Sequence, residues 1–117
     1  MRNIAVLVLL FLASPVAAAG ACQEHQILGA WEGGGSFFEQ FELSKSGADR
    51  SFNSWQHDRP GLVDAAWQLR DCQLTIIPKH GELPPFTYAI SVAHGKLLLR
   101  APGERASASY SRIKGEP

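Results

Sequence analysis

The chain has 117 residues, with 11 Lys and Arg against 11 Asp and Glu, so it is formally neutral. That length fits one domain and excludes a multidomain enzyme, a doubly wound cofactor fold and a solenoid of long repeats. The balanced charge argues against nucleic acid as a partner, because such binders carry a basic excess.

The N-terminal residues read as a leader. Arg2 supplies a positive start, Ile4 to Leu12 run without a polar residue, and Ser14 and Pro15 break the run. Small residues follow, from Ala17 to Ala21. This is the layout of a secretory signal peptide, with cleavage after Ala19 or Ala21. The apolar run is far shorter than the roughly 20 residues of a membrane span, although an uncleaved anchor is the alternative. Residues 1–21 are therefore read as signal peptide, and 22–117 as one exported domain. Every Trp and Tyr, and every Phe except Phe11, lies beyond the leader. Large rings should make up much of a small core.

Cys22 and Cys72 are the two cysteines of the chain. In an oxidising compartment an even count points to a bridge. Closing a loop of about 50 residues is worth roughly 4 kcal/mol in the chain-entropy account. The competing reading is lipidation of Cys22, since Ala19-Gly20-Ala21-Cys22 has the small residues that precede a lipoprotein cysteine. Position 19 is Ala where a larger aliphatic residue is usual, and lipidation would leave Cys72 as a lone thiol. Only in that case would the chain meet a membrane. The spacing fits neither a metal pair nor a C-x-x-C redox pair.

A short helical stretch is expected from about Cys22 to Leu28. Eight short runs of alternating apolar residues follow, separated by turn residues. The first covers about Gly29 to Gly33 and carries Trp31, with Gly33-Gly34-Gly35 as a turn. The second runs from about Phe37 to Ser44, with Phe37, Glu39, Phe41 and Leu43 on one side. The third spans about Arg50 to His57 and puts Phe52 and Trp55 on opposite faces. Asp58-Arg59-Pro60-Gly61 is a turn signal. The fourth, about Leu62 to Leu69, sets Val63, Ala65, Trp67 and Leu69 on one face. Arg70-Asp71 is read as a tight connection, and the fifth run is Cys72 to Ile77. Pro78 to Pro85 is the longest irregular segment. The sixth run, Phe86 to Val92, alternates strictly through Phe86, Tyr88, Ile90 and Val92. Ala93-His94-Gly95 is a hairpin turn, the seventh run is Lys96 to Arg100, and the eighth is about Ala106 to Ile113.

Sequential short strands with tight turns predict an all-β fold, a small antiparallel up-and-down barrel of about eight strands. Closure removes the exposed edges of such a meander. A two-sheet sandwich is the alternative. An eight-stranded barrel is just wide enough to be filled by side chains or to hold one small ligand.

Leu28-Gly29-Ala30-Trp31 at the first strand and Tyr110-Ser111-Arg112-Ile113 at the last carry a resemblance to the lipocalin or calycin superfamily, in particular to its small bacterial secreted domains. It spans about Leu28 to Ile113. The resemblance implies that Trp31 packs across the barrel floor with Arg112 against its ring, a structural role. The chain is shorter than a typical lipocalin and has no long C-terminal helix. It is also similar to periplasmic metalloprotease inhibitors, which open with a comparable Leu-x-Gly-x-Trp and insert an N-terminal arm into the protease. Here few residues precede Leu28, and a bridge at Cys22 would pin them.

The chemistry-bearing residues do not gather into a catalytic pattern. His25, His57, His80 and His94 show no ligand spacing, so no metal is expected. Glu39 and Glu42 point to opposite faces of a strand. Glu39, if inward, would need a partner such as Arg50, Arg70 or Arg112. No G-x-S-x-G elbow and no phosphate loop occur. The expectation is therefore a non-enzymatic exported binding or envelope accessory protein with no cofactor. Its site would lie at the open end, lined by Phe37, Phe41, Trp55, Trp67 and Tyr88, and would take a small apolar molecule. The alternative is a protease-inhibitor-like protein that meets an envelope protein through the loops Gly33–Gly35 and Pro78–Pro85.

Overall fold

The computed structural model describes residues 22–33, 37–57, 61–79 and 83–113. The signal peptide reading falls on residues 1–21, and Gly34, Gly35, Asp58 and His80 also lie outside the described residues. One helical turn, α1 (Glu24–Ile27), precedes eight strands: β1 (Gly29–Gly33), β2 (Gln40–Ser46), β3 (Asp49–Trp55), β4 (Ala65–Arg70), β5 (Gln73–Ile77), β6 (Phe86–Ala93), β7 (Lys96–Arg100) and β8 (Ala108–Arg112). Each strand pairs antiparallel with the next, and β1 pairs with β8 to close the barrel.

The alternating pattern explains the closure. On β5, Leu74 and Ile76 are buried; on β6, Tyr88 and Ile90; on β7, Leu97 and Leu99. Trp31, Phe41, Leu43, Phe52, Ala65, Trp67 and Tyr110 are the buried apolar inward residues from the other strands. Burial alternates with period two on β2 to β7, so one sheet curls around its own apolar face, while β1 buries the adjacent Ala30 and Trp31 where the barrel closes. Among the described residues Ser54 is the buried polar one, 3% exposed, and its hydroxyl accepts the Leu62 N–H at 2.8 Å.

The two ends of the barrel differ. At one end the strands are joined by two-residue turns, Gly47–Ala48, Asp71–Cys72 and His94–Gly95. Asp71 and Cys72 have φ of 50° and 61°, and His94 and Gly95 have φ of 54° and 77°. Positive φ at both central residues matches the right-handed twist of the flanking strands. The tight connection is therefore Asp71–Cys72, one residue beyond the Arg70-Asp71 expected from the sequence. At the other end the connections are long, spanning residues 34–39, 56–64, 78–85 and 101–107.

Strand boundaries shift from the expected runs on β2, β4 and β8 among others. β2 begins at Gln40, so Phe37 to Glu39 belong to the β1–β2 connection and do not share the alternation of Phe41 and Leu43. β4 begins at Ala65, because Asp64 takes a φ of 62° and gives its N–H to Asn53 Oδ1 at 2.8 Å. Val63 is thereby turned outward and is 67% exposed, where strict alternation would bury it. β8 is confined to Ala108–Arg112, shorter at both ends than the expected run.

The β3–β4 seam is the weakest part of the wall, with a ladder of only Ser51↔Ala66 and Phe52↔Ala65. Above it, Leu62 and Ser54 exchange a further backbone bond of 2.8 Å. Gly61 permits this approach, since a Cβ there would collide with the Ser54 carbonyl. Below it, Trp67 donates its indole N–H to the Ser44 carbonyl at 3.1 Å, and Arg50 lies 5.7 Å from the ring.

At the tight-turn end, Cys22 and Cys72 form a disulfide that ties the segment before α1 to the β4–β5 turn, closing 50 residues of sequence. Disulfides persist in oxidising compartments. Among the described residues no helix is long and apolar enough to cross a membrane. Replacing both cysteines by Ser should lower stability by about 4 kcal/mol in the loop-entropy account, read as a lower melting temperature that reductant reproduces in the wild type.

Glu24 of α1 joins the same end. Its carboxylate accepts from Arg50 Nε at 2.7 Å, Arg50 Nη2 at 3.0 Å and Lys45 Nζ at 3.0 Å, holding α1 against the β2–β3 hairpin. The hydrogen bond from Arg50, with that from Lys45 and the charge of both, holds the Glu24 pKa down at about 2 against an ordinary 4.5. A depressed carboxylate pKa stabilises the folded state above the unfolded value and loses that effect as pH falls through the folded one. Glu24→Gln should therefore cost about 1 kcal/mol at pH 7, the scale of a partly exposed ion pair. The gap to wild type should close between pH 4.5 and about 2, as measured by paired melts across that range.

Candidate functional site

The floor of the barrel is built at the tight-turn end. Trp31 is 1% exposed and donates its indole N–H to the Ile27 carbonyl at 3.0 Å. Arg112, its register partner on β8, places its guanidinium 4.4 Å from the ring centroid. The fork of Arg112 donates from Nη1 to the Leu28 carbonyl at 2.6 Å and from Nη2 to the Gln26 carbonyl at 3.1 Å. One cation thus satisfies the carbonyls that end α1 and covers the indole face. Gly29 sits between them with φ of 120°, and a Cβ there would stand 2.6 Å from Arg112 Nη1. The Gly-x-Trp spacing follows from that approach.

The opposite end, the mouth, is closed by Phe38. This residue is 8% exposed and turns its ring into the barrel, 5.1 Å from Phe52, 5.7 Å from Phe41 and 6.1 Å from Tyr88 by centroid. Phe41 in turn meets Tyr110 at 4.9 Å, edge to face. The Tyr110 hydroxyl, wholly enclosed, donates to the Phe38 carbonyl at 2.9 Å and accepts the Phe38 N–H at 3.3 Å. A single phenol therefore satisfies both backbone groups of the residue that caps the mouth. Burial raises the Tyr110 pKa, opposed by its bond to Phe38. Burial, with the nearby Tyr110, pushes the Tyr88 pKa up to about 12.

The flanks of Phe38 are held as well. Gln56 Nε2 donates to the Phe37 carbonyl at 3.2 Å, and Gly33 N–H donates to the Glu39 carbonyl at 3.0 Å. The Glu39 carboxylate accepts the His57 N–H at 2.8 Å and lies 2.7 Å from His57 Nδ1. Glu39 is therefore a rim carboxylate facing solvent beside His57, and it is not an inward charge partnered by Arg50, Arg70 or Arg112.

Of the five side chains expected to line an open end, Phe37, Phe41 and Tyr88 do gather at the mouth. Phe37 is half-buried, 4.8 Å from Tyr88. The space between them is taken by Phe38, which the period-two reading of a strand from Phe37 had turned outward. Trp67 lies apart, at the β3–β4 seam. Trp55 stands on the outside of the wall, 47% exposed. Sequence reasoning missed Phe38 and the hydroxyl of Tyr110; the adjacent pair Phe37-Phe38, which no single strand face can bury, was the available signal.

Two open grooves mark the outer surface. One, of about 650 Å³, runs along Glu32, Gln40, Trp55 and Gln56 below the Glu39–His57 pair. The other, of about 550 Å³, overlies the β3–β4 seam between Arg50, Trp67 and Lys79. Among the described residues no group of three His, Cys, Asp or Glu side chains could hold a metal ion.

Tyr110→Phe should strand the N–H and carbonyl of Phe38 in an apolar mouth. The expected cost is about 1–3 kcal/mol, with faster amide exchange at Phe38 and unchanged exchange on β5. Denaturant melts and hydrogen exchange read both.

No family model matches the chain, and neither a curated protein nor a solved structure matches it.

Proposed function

We propose that this chain is an exported, non-enzymatic, lipocalin-like β-barrel that serves as an interaction module of the cell envelope. It meets a protein partner through the loop-bearing end and does not carry a small apolar molecule inside. The observation that carries the reading is the mouth. Phe38 occupies the position that an apolar ligand would take, and its backbone is bonded on both polar groups to Tyr110. An eight-stranded barrel has little interior beyond its own side chains, and here the rings of Phe38, Phe41, Phe52 and Tyr88 fill that end.

The long connections at the same end expose apolar side chains. Val63, 67% exposed, lies on the β3–β4 connection, and Leu83, 62% exposed, on the β5–β6 connection. Apolar side chains on loops held by a rigid barrel suit protein contact. The lipocalin-like reading draws on the eight-strand closure, the turn of helix before β1 and the Trp31–Arg112 contact. Export draws on the leader composition and on the disulfide. The non-enzymatic reading draws on the position of the Glu39–His57 pair, where His57 is 82% exposed and water competes for both groups. Protease inhibition belongs to the same reading, with rim loops as the contact; Cys22 is held at the other end by its bridge to Cys72.

Two measurements test the proposal together. Titration with a fluorescent fatty acid should give no saturable one-to-one uptake by the oxidised wild type. A photo-crosslinking residue at position 63 and another at 83 should trap the same discrete protein adduct in intact cells, and one at exposed Ser91 should not. Stoichiometric uptake of the fatty acid, or adducts that do not differ between positions 63, 83 and 91, would overturn it.

A further inference from the structure

We infer that the outer-wall groove at Trp55 is a binding site for a neutral saccharide chain, with a pyranose ring stacked on the indole. Strand register builds the site. Trp55 on β3 stands opposite Gln40 on β2, and Gln40 stands opposite Glu32 on β1. Side chains at such paired positions lie about 5 Å apart on one face. The outside of the barrel thus carries a row of indole, amide and carboxylate across three adjacent strands. Gln56 and the Glu39–His57 pair bound the groove on the mouth side.

Trp55 is the exception on this wall. The other outward positions of β3 include Ser51 and Asn53, whereas Trp55 leaves a large flat ring 47% exposed. The core rings pack on one another from the inner face, and among the described residues no ring pairs with Trp55.

The lining selects a chemical class. An indole offers a planar apolar face, an amide offers donors and acceptors, and a carboxylate accepts through both oxygens. A pyranose with equatorial hydroxyls presents the complement: a flat face of C–H groups, and a rim of vicinal hydroxyls that both donate and accept. Polar side chains set around one aromatic platform suit such a ligand. Among the described residues that line the groove, Glu32 and Glu39 carry carboxylates and none is Lys or Arg, a lining that repels a phosphate or a uronic acid. The groove is open along its length, with about 650 Å³ of space, so it suits an extended chain crossing the wall more than an enclosed monosaccharide. This site does not depend on the protein-partner reading, and the two are tested at different residues.

The test is a titration of the oxidised protein with cellohexaose and, separately, chitohexaose, followed by the indole N–H resonance of Trp55 and the amides of Glu32 and Gln40. Spermidine serves as the cationic control. Either sugar should shift these signals with a dissociation constant on the order of millimolar, unchanged by added salt. Trp55→Ala should weaken binding by about tenfold or more, and Trp55→Phe by less. Because the Trp55 ring is half out of the fold, both variants should retain the far-ultraviolet spectrum of the wild type. The inference is overturned if neither sugar shifts the signals at about ten times the expected constant, if Trp55→Ala binds as well as wild type, or if only spermidine responds and does so in a salt-dependent way.

Discussion

The barrel depends on joining its first strand to its last. β1 and β8 are the ends of the meander, and left apart each would expose a row of unpaired backbone groups. The Trp31↔Arg112 pair lies at that closure. The guanidinium covers the indole and also bonds the carbonyls of Gln26 and Leu28, so one side chain unites β1, β8 and α1. A cation over a Trp face contributes about 1 kcal/mol, and hydrogen bonds from a charged donor about 1.5–3 kcal/mol each. These terms act across a sequence separation of more than 80 residues, where the entropy cost of loop closure is already met by the intervening hairpins. With four residues, α1 is too short to hold as an isolated helix, and these contacts act beside the Glu24–Arg50–Lys45 cluster and the Cys22–Cys72 bridge to keep it in place.

Because the floor holds the closure, the two ends of the barrel have different freedoms. The floor combines two-residue turns, a disulfide and the Glu24–Arg50–Lys45 cluster, all of which fix the chain. The mouth is made of longer connections and is sealed by apolar contact. Burying a ring such as Phe38 contributes about 2–3 kcal/mol, and the Tyr110 hydroxyl removes the penalty of enclosing its backbone. Such a cap leaves the outer surfaces of the loops and wall available for contact. Among the described residues the exposed large apolar side chains lie outside the core: Val63 and Leu83 on the rim, and Trp55 on the wall.

Much of the fold was legible because alternation of apolar residues maps directly onto the two faces of a strand. The spans of β1 and β7 coincide with the runs read from the sequence, and β5 and β6 differ by one residue each. The pairing of Cys22 with Cys72 was expected from there being two cysteines in a chain whose leader reads as a signal peptide. Alternation misled where the backbone left the extended region. Asp64 at positive φ turned Val63 outward, and the loop before Gln40 turned Phe38 inward and Glu39 to the rim. Trp55, expected among the lining rings, lies on the β3 face opposite Phe52 and is exposed.

The amino-acid order by itself determined the all-β class, the number of strands and their antiparallel succession, since these rest on local period and on turn residues that act over a few positions. Which rings fill the barrel, which one caps it and which remain in water was decided by tertiary structure alone. Those outcomes depend on contacts between distant strands, such as the Tyr110 hydroxyl on the Phe38 backbone, and no local pattern encodes a partner 72 residues away.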